Sequence, residues 1–279
     1  MYTVGIIGNG FVGSAVASAY ALHAHVCVYD ADDKKSLHTL EEVLNCEFVF
    51  VCVPTPMNLE NGNKIDLSIV RDVFRRASPA NPNSIFILKS TVVPGTTELL
   101  AQEFPDFEIV FNPEFLTERS ARLDFINASR IIIGGSEDAC DRVRALYRDR
   151  FQHTPIISTD STSAEFIKYM CNCFFATKIS YMNEMKQAAD QLGLDWPNIM
   201  CGFLSDGRVG NSHVDVPGHD GKLGFGGKCF PKDINAFINF FKEVNVSPTL
   251  LSAAWQKNIE VRENADWEEI EGATSRRKA

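Results

Sequence analysis

Ten residues carry the strongest chemical signal in this sequence: Gly224-Phe225-Gly226-Gly227-Lys228-Cys229-Phe230-Pro231-Lys232-Asp233. They place a thiol between a backbone-exposing glycine pair and a helix start. A helix N-terminus and neighbouring lysines draw a thiol toward its nucleophilic thiolate form. Lys168 and Asn172 are four apart in a long helical pattern, so both project from one face. Taken singly, each has a plainer reading. Cys229 reads as a packing thiol, Lys168 as a solvated partner of Glu165, and Asn172 as a bond to nearby backbone. Cys171-x-Cys173 is not a zinc pair, because a helix points residues two apart in different directions. His23 and His25 straddle a helix–strand junction with no third ligand in view and read as structural. No metal is expected.

At the other end, Gly8-Asn9-Gly10-Phe11-Val12-Gly13 closes one strand pattern and opens a helical one. In that context the glycines permit a tight turn, close approach of a pyrophosphate, and close helix–strand packing. The helix start supplies amide donors and partial positive charge. Asp30 ends the second strand pattern, 20 residues after Gly10. A carboxylate there accepts ribose hydroxyls and repels a 2′-phosphate, which favours NAD over NADP. Two further segments leave strand ends, where open parallel sheets bind ligands. They are Lys89-Ser90-Thr91-Val92-Val93-Pro94-Gly95-Thr96-Thr97 and Asn112-Pro113-Glu114-Phe115-Leu116-Thr117-Glu118.

These residues need a scaffold, and the sequence supplies two kinds. Strand-like runs at 3–7, 25–29, 47–53, 84–88, 107–111 and 130–133 mostly alternate with helical stretches at 12–22, 67–77, 96–104 and 137–151. That alternation predicts an α/β fold, a doubly wound parallel sheet with helices on both faces, over residues 1–158. Residues 159–267 read as all-helical. A helical pattern runs from Ser161 to Leu194, with an apolar stripe at Phe166, Ile167, Met170, Phe174, Tyr181, Met182 and Met185. Thr162 and Glu165 fit a capping box at its start. A glycine-rich loop spans 206–227. Two helices follow, at 233–244 and after Ser247 as cap with Pro248 at the first helical position. Residues 268–279 read as a flexible tail.

The 279 residues suggest two domains. With 27 basic and 36 acidic residues the net charge is −9, which lacks the basic field that nucleic acid or an anionic membrane demands. The apolar runs are strand-sized, far short of the roughly 20 residues of a membrane span. Eight cysteines are too sparse for a disulfide scaffold, and no signal-peptide pattern opens the sequence. These features predict a soluble cytoplasmic protein with reduced thiols.

The cysteine segment, together with Asn-Pro-Glu-Phe-Leu, Lys-Ser-Thr-Val and Ala164-Glu165-Phe166-Ile167-Lys168-Tyr169-Met170-Cys171-Asn172, closely resembles the UDP-glucose/GDP-mannose dehydrogenase family. The resemblance runs from about Tyr2 to Val261. It implies a Rossmann domain followed by a helical dimerisation domain. It further implies oxidation of a nucleotide-sugar C6 alcohol to the acid in two hydride transfers to NAD. Cys229 would carry the thiohemiacetal and the thioester. Lys168 and Asn172 would stabilise charge on the C6 oxygen, while Asp233 would act with Thr91 and Glu114 around the reactive water. Substrate contacts are implied at Glu114, Phe115, Leu116, Lys168, Asn172, Phe225, Gly226 and Gly227, with the sugar lying against bare backbone. Cofactor contacts are implied at Gly8, Gly10, Phe11, Val12, Gly13, Asp30, Lys35, Thr55, Thr91, Glu118 and Lys232. Arg208 matches an arginine that reaches the partner subunit's substrate site, which implies a homodimer.

Three departures stand beside the resemblance. Typical members carry a third domain after the long connecting helix, and this sequence stops just past that helix. The stretch before Gly226 is longer than usual, adding 214–222, and the segment after Asp30 is shorter. Two alternatives follow. One is a single-step β-hydroxyacid-type dehydrogenase, a class with Lys-x-x-x-Asn but no need of the cysteine. The other is a non-enzymatic or split NAD-binding dimer module completed by another chain.

Overall fold

The computed structural model describes residues 1–77 and 80–275, with Glu118 described by its backbone alone. Two units emerge, Met1–Thr55 with Asp66–Lys168, and Pro56–Ile65 with Tyr169–Ala279. The first opens with β1 (Thr3–Ile7), α1 (Phe11–Tyr20), β2 (His25–Tyr29), α2 (Leu40–Leu44) and β3 (Phe48–Val51). A hairpin of β4 (Met57–Asn58) and β5 (Lys64–Ile65) then belongs to the second unit. The first unit resumes with α3 (Ser68–Arg76), β6 (Ile85–Leu88), α4 (Thr96–Glu103) and β7 (Glu108–Phe111). It continues with α5 (Ala121–Ile126), β8 (Ile131–Gly134), α6 (Glu137–Arg150) and β9 (Ile156–Thr159). The long α7 (Ser161–Gln191) crosses from one unit to the next. After it come α8 (Trp196–Leu204), α9 (Phe230–Glu243), α10 (Thr249–Val261) and β10 (Thr274–Ser275).

Seven strands of the first unit form one sheet in the order β2-β1-β3-β6-β7-β8-β9. Its inner strands β1, β3, β6, β7 and β8 are almost wholly buried, which is why they read as continuous apolar runs, whereas the edge strand β9 is not buried. Phe48 and Phe50 face a layer with Val16 and Tyr20 of α1 and Leu146 of α6. Val49 and Val51 face the opposite layer, with Val43, Val70, Phe74 and Leu100. That period of two is the strand's own geometry. The sheet is parallel except at one place. β7 meets β8 antiparallel through Phe111 and Gly134, because their connection re-enters the sheet at the end where β7 leaves it and does not cross back to the other end.

The second unit is not wholly helical. β4 pairs antiparallel with β5 and parallel with β10, giving a small three-stranded sheet. The hairpin turn places Gly62 and Asn63 at positive φ. Two-residue strands are too short to show a period of two in the sequence. Thr274 and Ser275 pair with Met57 and Asn58, within the stretch read as a tail; the last four residues of that stretch lie outside the described residues.

Helix ends differ from the sequence reading in informative ways. No capping box forms on α7: Asp160 caps Ser163, Thr162 donates to Glu98, and Glu165 is drawn to the start of α4. α7 stops at Gln191, two residues before Gly193 takes a left-handed φ of 64°. α9 begins at Phe230, so Cys229 itself is its N-cap, and Pro248 is the N-cap of α10 rather than its first residue. The extra stretch 214–222 is anchored by Val214 and Val216, buried with Met182 against Trp196, Met200, Phe203 and Leu204.

Candidate active site

The glycine turn is built for close packing and for a ligand. A Cβ on Gly13 would stand 1.9 Å from the Gly8 carbonyl oxygen, so the α1 start folds directly onto the turn. Gly10 meets nothing within 4 Å and no side chain caps α1. The first-turn amides around Phe11 and Val12 are therefore left for an anionic group. The Asp30 carboxylate accepts from Asn9 N at 2.6 Å and from Asp32 N at 2.9 Å, which fixes it beside the turn. An open glycine, uncapped helix amides and an adjacent carboxylate together fit a dinucleotide's pyrophosphate and ribose. Lys35 lies with its ammonium 3.6 Å from Asp32, and its carbonyl accepts from Asn9 Nδ2, which places it beside the glycine turn. Thr55 is buried and donates to the Thr91 carbonyl at 2.8 Å, tying together the segments that leave β3 and β6. Glu118 opens a 3-10 turn, and its side chain lies outside the described residues.

Lys168, two turns into α7, reaches Glu114 rather than Glu165. Its Nζ lies 3.0 Å from Glu114 Oε1 and also donates to the Glu114 carbonyl. Both side chains are buried. Glu114 Oε2 accepts from Leu116 N at 2.7 Å. Burial pushes the Glu114 carboxyl up, but Lys168 and the Leu116 amide outweigh it and hold the carboxyl below its ordinary value. Phe115 stands 5.4 Å from the Lys168 ammonium, face toward it.

Sequence reasoning gave no role to the group that holds this segment. Lys89 donates to Asn112 Oδ1 at 2.8 Å, Tyr147 donates to the same oxygen at 2.5 Å, and Asn112 Nδ2 donates to the Ile132 carbonyl at 2.6 Å. Burial lowers the Lys89 ammonium to about 8. A cavity of about 390 Å³ opens beside it, lined in part by Glu114, Phe115, Phe125 and Arg130. Lys89 and Asn112 stood in the quoted motifs, but Tyr147 on α6 left no signal.

In the second unit Cys229, half-buried, opens α9, and the Asp233 amide donates to its carbonyl at 2.8 Å. Asp233 is buried in the first turn. One oxygen accepts from Asn172 Nδ2 at 2.5 Å and the other from Lys232 Nζ at 2.5 Å. Lys232 is thus bonded to a carboxylate of its own helix. Phe225 is buried, with Phe230 and Trp255 rings each 6.1 Å from its own. Arg208 is exposed and forks onto Asp206 at 2.9 and 2.5 Å. Among the described residues no cluster of His, Cys, Asp and Glu is suited to a metal, and no helix is long and apolar enough to cross a membrane.

Residues 36–151 match the model of the UDP-glucose/GDP-mannose dehydrogenase family NAD binding domain, and residues 162–260 match that family's central domain. The glycine turn and Asp30 precede the first match and rest on their geometry. A UDP-glucose 6-dehydrogenase of Rickettsia bellii is 34% identical over 227 residues, covering 79% of this chain and 51% of the relative. The chain spans about half the length of the first curated relatives it matches. A UDP-glucose dehydrogenase structure from Pyrobaculum islandicum aligns with a TM-score of 0.81 at 28% identity, over 93% of this chain and 68% of that one. A 3-hydroxyisobutyrate dehydrogenase from Mycobacterium tuberculosis shares the fold alone, with a TM-score of 0.72 at 18% identity over 93% of each chain. Two adjacent domain models of one family match in order along the sheet unit and the helical unit, and the chain belongs to the UDP-glucose/GDP-mannose dehydrogenase family.

Proposed function

We propose that this chain performs the NAD-dependent, two-step oxidation of a nucleotide-sugar C6 alcohol to the uronic acid, with a UDP-glucose-like substrate. The observation that carries the reading is the start of α9. There Asp233, gripped by Asn172 and Lys232, sits one turn beyond a half-buried thiol in Gly-Phe-Gly-Gly-x-Cys. NAD, when bound, would supply the hydride acceptor. Gly8, Gly10, Phe11, Val12 and Gly13 would hold its pyrophosphate and Asp30 its ribose, with Thr55, Thr91 and Glu118 as further contacts. Lys35, near the ribose, and Lys232 would also contact the cofactor.

The protein's own groups do the rest. The Cys229 thiolate adds to the C6 aldehyde carbon and holds the sugar as a thiohemiacetal, then as a thioester. Lys168 and Asn172 donate to the C6 oxygen as it gains charge. Asp233 takes a proton from the water that cleaves the thioester, with Thr91 and Glu114 orienting that water. Phe115, Leu116, Phe225, Gly226 and Gly227 bear on the sugar. Arg208 serves the site of a second copy. Exposed Met170, Phe174 and Tyr181 on α7 and Leu250 on α10 supply an apolar surface for that homodimer. Its setting is a reducing cytoplasm, with neither membrane nor nucleic acid as partner.

The test is stoichiometry. Wild-type protein should yield two NADH per UDP-glucose and release a carboxylate. Cys229→Ala should abolish acid formation while NAD affinity stays nearly intact. A second reading, a single oxidation of a β-hydroxyacid, rests on Lys168-x-x-x-Asn172, a pattern that class also carries. One NADH per substrate, unaffected by Cys229→Ala, would establish that instead.

A further inference from the structure

The loop ahead of Cys229 is held at almost every residue by side chains. Arg262, just past α10, has a side chain 1% exposed. Its Nη2 lies 2.8 Å from Asp220 Oδ2 and 3.0 Å from Asp266 Oδ2, and its Nε lies 3.2 Å from Asp266 Oδ1. Its Nη1 donates to the Leu223 carbonyl at 3.3 Å. Asp266 in turn accepts from the Gly227 amide at 3.2 Å. Between these points Asn183 takes the Gly224 amide, and Asn258 brackets Phe225, accepting from its amide and donating to its carbonyl.

Gly226 shows how tight the fit is. A Cβ there would stand 2.2 Å from Arg262 Nη2 and 2.3 Å from an Asp266 oxygen. One face of this glycine is therefore covered by the ion pair and not by open space. Asp220 comes from the stretch that distinguishes this sequence, and its turn is closed by Gly218 N to the Lys222 carbonyl at 2.8 Å. The stretch thus delivers a carboxylate to a buried guanidinium.

We propose that Asp266 and Asp220, acting through Arg262, are positioning residues that set the Leu223–Gly227 loop and with it the placement of the Cys229 thiol. The proposal rests on the reading of Cys229 as nucleophile, but its first readout does not. A buried guanidinium shared by two carboxylates has strict geometry, and removing one partner leaves the others badly paired. The insertion and the segment after α10 therefore act on the chemistry at a distance, through backbone.

The test compares Asp266→Asn, Asp220→Asn and Arg262→Lys with a core variant of the first unit, Val143→Ala, as a control for lost stability. Cys229 alkylation by iodoacetamide is followed on its own peptide by mass spectrometry, beside kcat and the KM values for NAD and UDP-glucose. Asp266→Asn and Arg262→Lys should change the alkylation rate at least fivefold and lower kcat about tenfold, with the KM for NAD unmoved. Lysine keeps the charge but cannot fork, so Arg262→Lys should not rescue. Asp220→Asn, the mildest change, should move alkylation about threefold and keeps the test alive if the others fail to fold. Val143→Ala should leave the alkylation rate alone. Alkylation rates within twofold of wild type in folded Asp266→Asn or Asp220→Asn would overturn the proposal. If wild type makes no acid but the alkylation pattern holds, the dehydrogenase reading fails and the brace stands.

Discussion

One oxygen of Glu165 accepts both the amide and the hydroxyl of Thr97, at 2.8 and 2.6 Å, joining α7 to the start of α4. The other oxygen accepts from the Gly95 amide at 2.6 Å. The loop that carries Thr91 is thereby fastened to the helix that carries Lys168, three residues on.

Burial outweighs those donors and lifts the Glu165 carboxyl from 4.5 to about 7. Between those values the folded chain holds a proton that the unfolded chain has lost, so stability falls as pH rises through that window and levels off above it. At 1.36 kcal/mol per unit the effect is about 3 kcal/mol. Glu165→Gln cannot ionise and should lose that slope. Urea unfolding of both proteins at pH 5, 6, 7 and 8 checks this, and parallel pH profiles would contradict it.

Lys168 pairs with a carboxylate that stays charged in a buried setting. Lys168→Met should slow oxidation roughly 10²–10³-fold by removing an oxyanion donor. It should also cost about 3–5 kcal/mol, because Glu114 is left buried and unpaired. Adding Glu114→Gln should restore part of the stability and none of the rate. Glu114 lies below its ordinary value, so the pair's contribution is present above pH 4.5 and lost as pH falls through the folded value.

Cofactor choice should rest on Asp30. Asp30→Ser removes the ribose acceptor and the charge that repels a 2′-phosphate, so NAD binding weakens and the ratio of NAD to NADP affinity falls. Fluorescence titration with the two reduced cofactors measures it. Wild-type preference for NADP would sink the assignment.

Arg208 should act across a dimer. Light scattering should give twice the monomer mass. Arg208→Ala should raise the KM for the sugar, and mixing it with Cys229→Ala under subunit exchange should recover activity, since one heterodimer site is then intact. Absence of recovery would count against a borrowed arginine.

Much of this was legible in the sequence because its signals are local. The glycine turn, Asp30 and the strand-by-strand alternation each depend on neighbours in the chain. Lys168 and Asn172 were legible as one face of a helix, but not their partners, since Glu114 and Asp233 are 54 and 61 residues away. Glu165 was misread for the same reason: Thr-x-x-Glu is a capping signature, and only the fold brings Gly95 and Thr97 within reach of it. The carboxylates beside Lys35 and Lys232, Asp32 and Asp233, are near in sequence, yet no motif in the chain marked them as partners. The antiparallel junction of Phe111 with Gly134 depends on the path of a connection, which apolar patterning does not encode.

The hairpin at residues 56–65 carries a consequence for how the chain emerges from a ribosome. Asn63 and Lys64 bond Asn235 and Glu243 of α9, and Met57 and Asn58 wait for Thr274 and Ser275. These ten residues are made early and their partners more than 160 residues later, a delay of the order of ten seconds or more at about 5–20 residues per second. During that interval the hairpin's edges stand unsatisfied, a template for the wrong strand. A fragment cut to begin at Tyr169 would inherit the opposite defect, a β10 with nothing to pair with. Splicing the hairpin ahead of such a fragment through a flexible linker would give β10 its partner back and return Asn63 and Lys64 to α9.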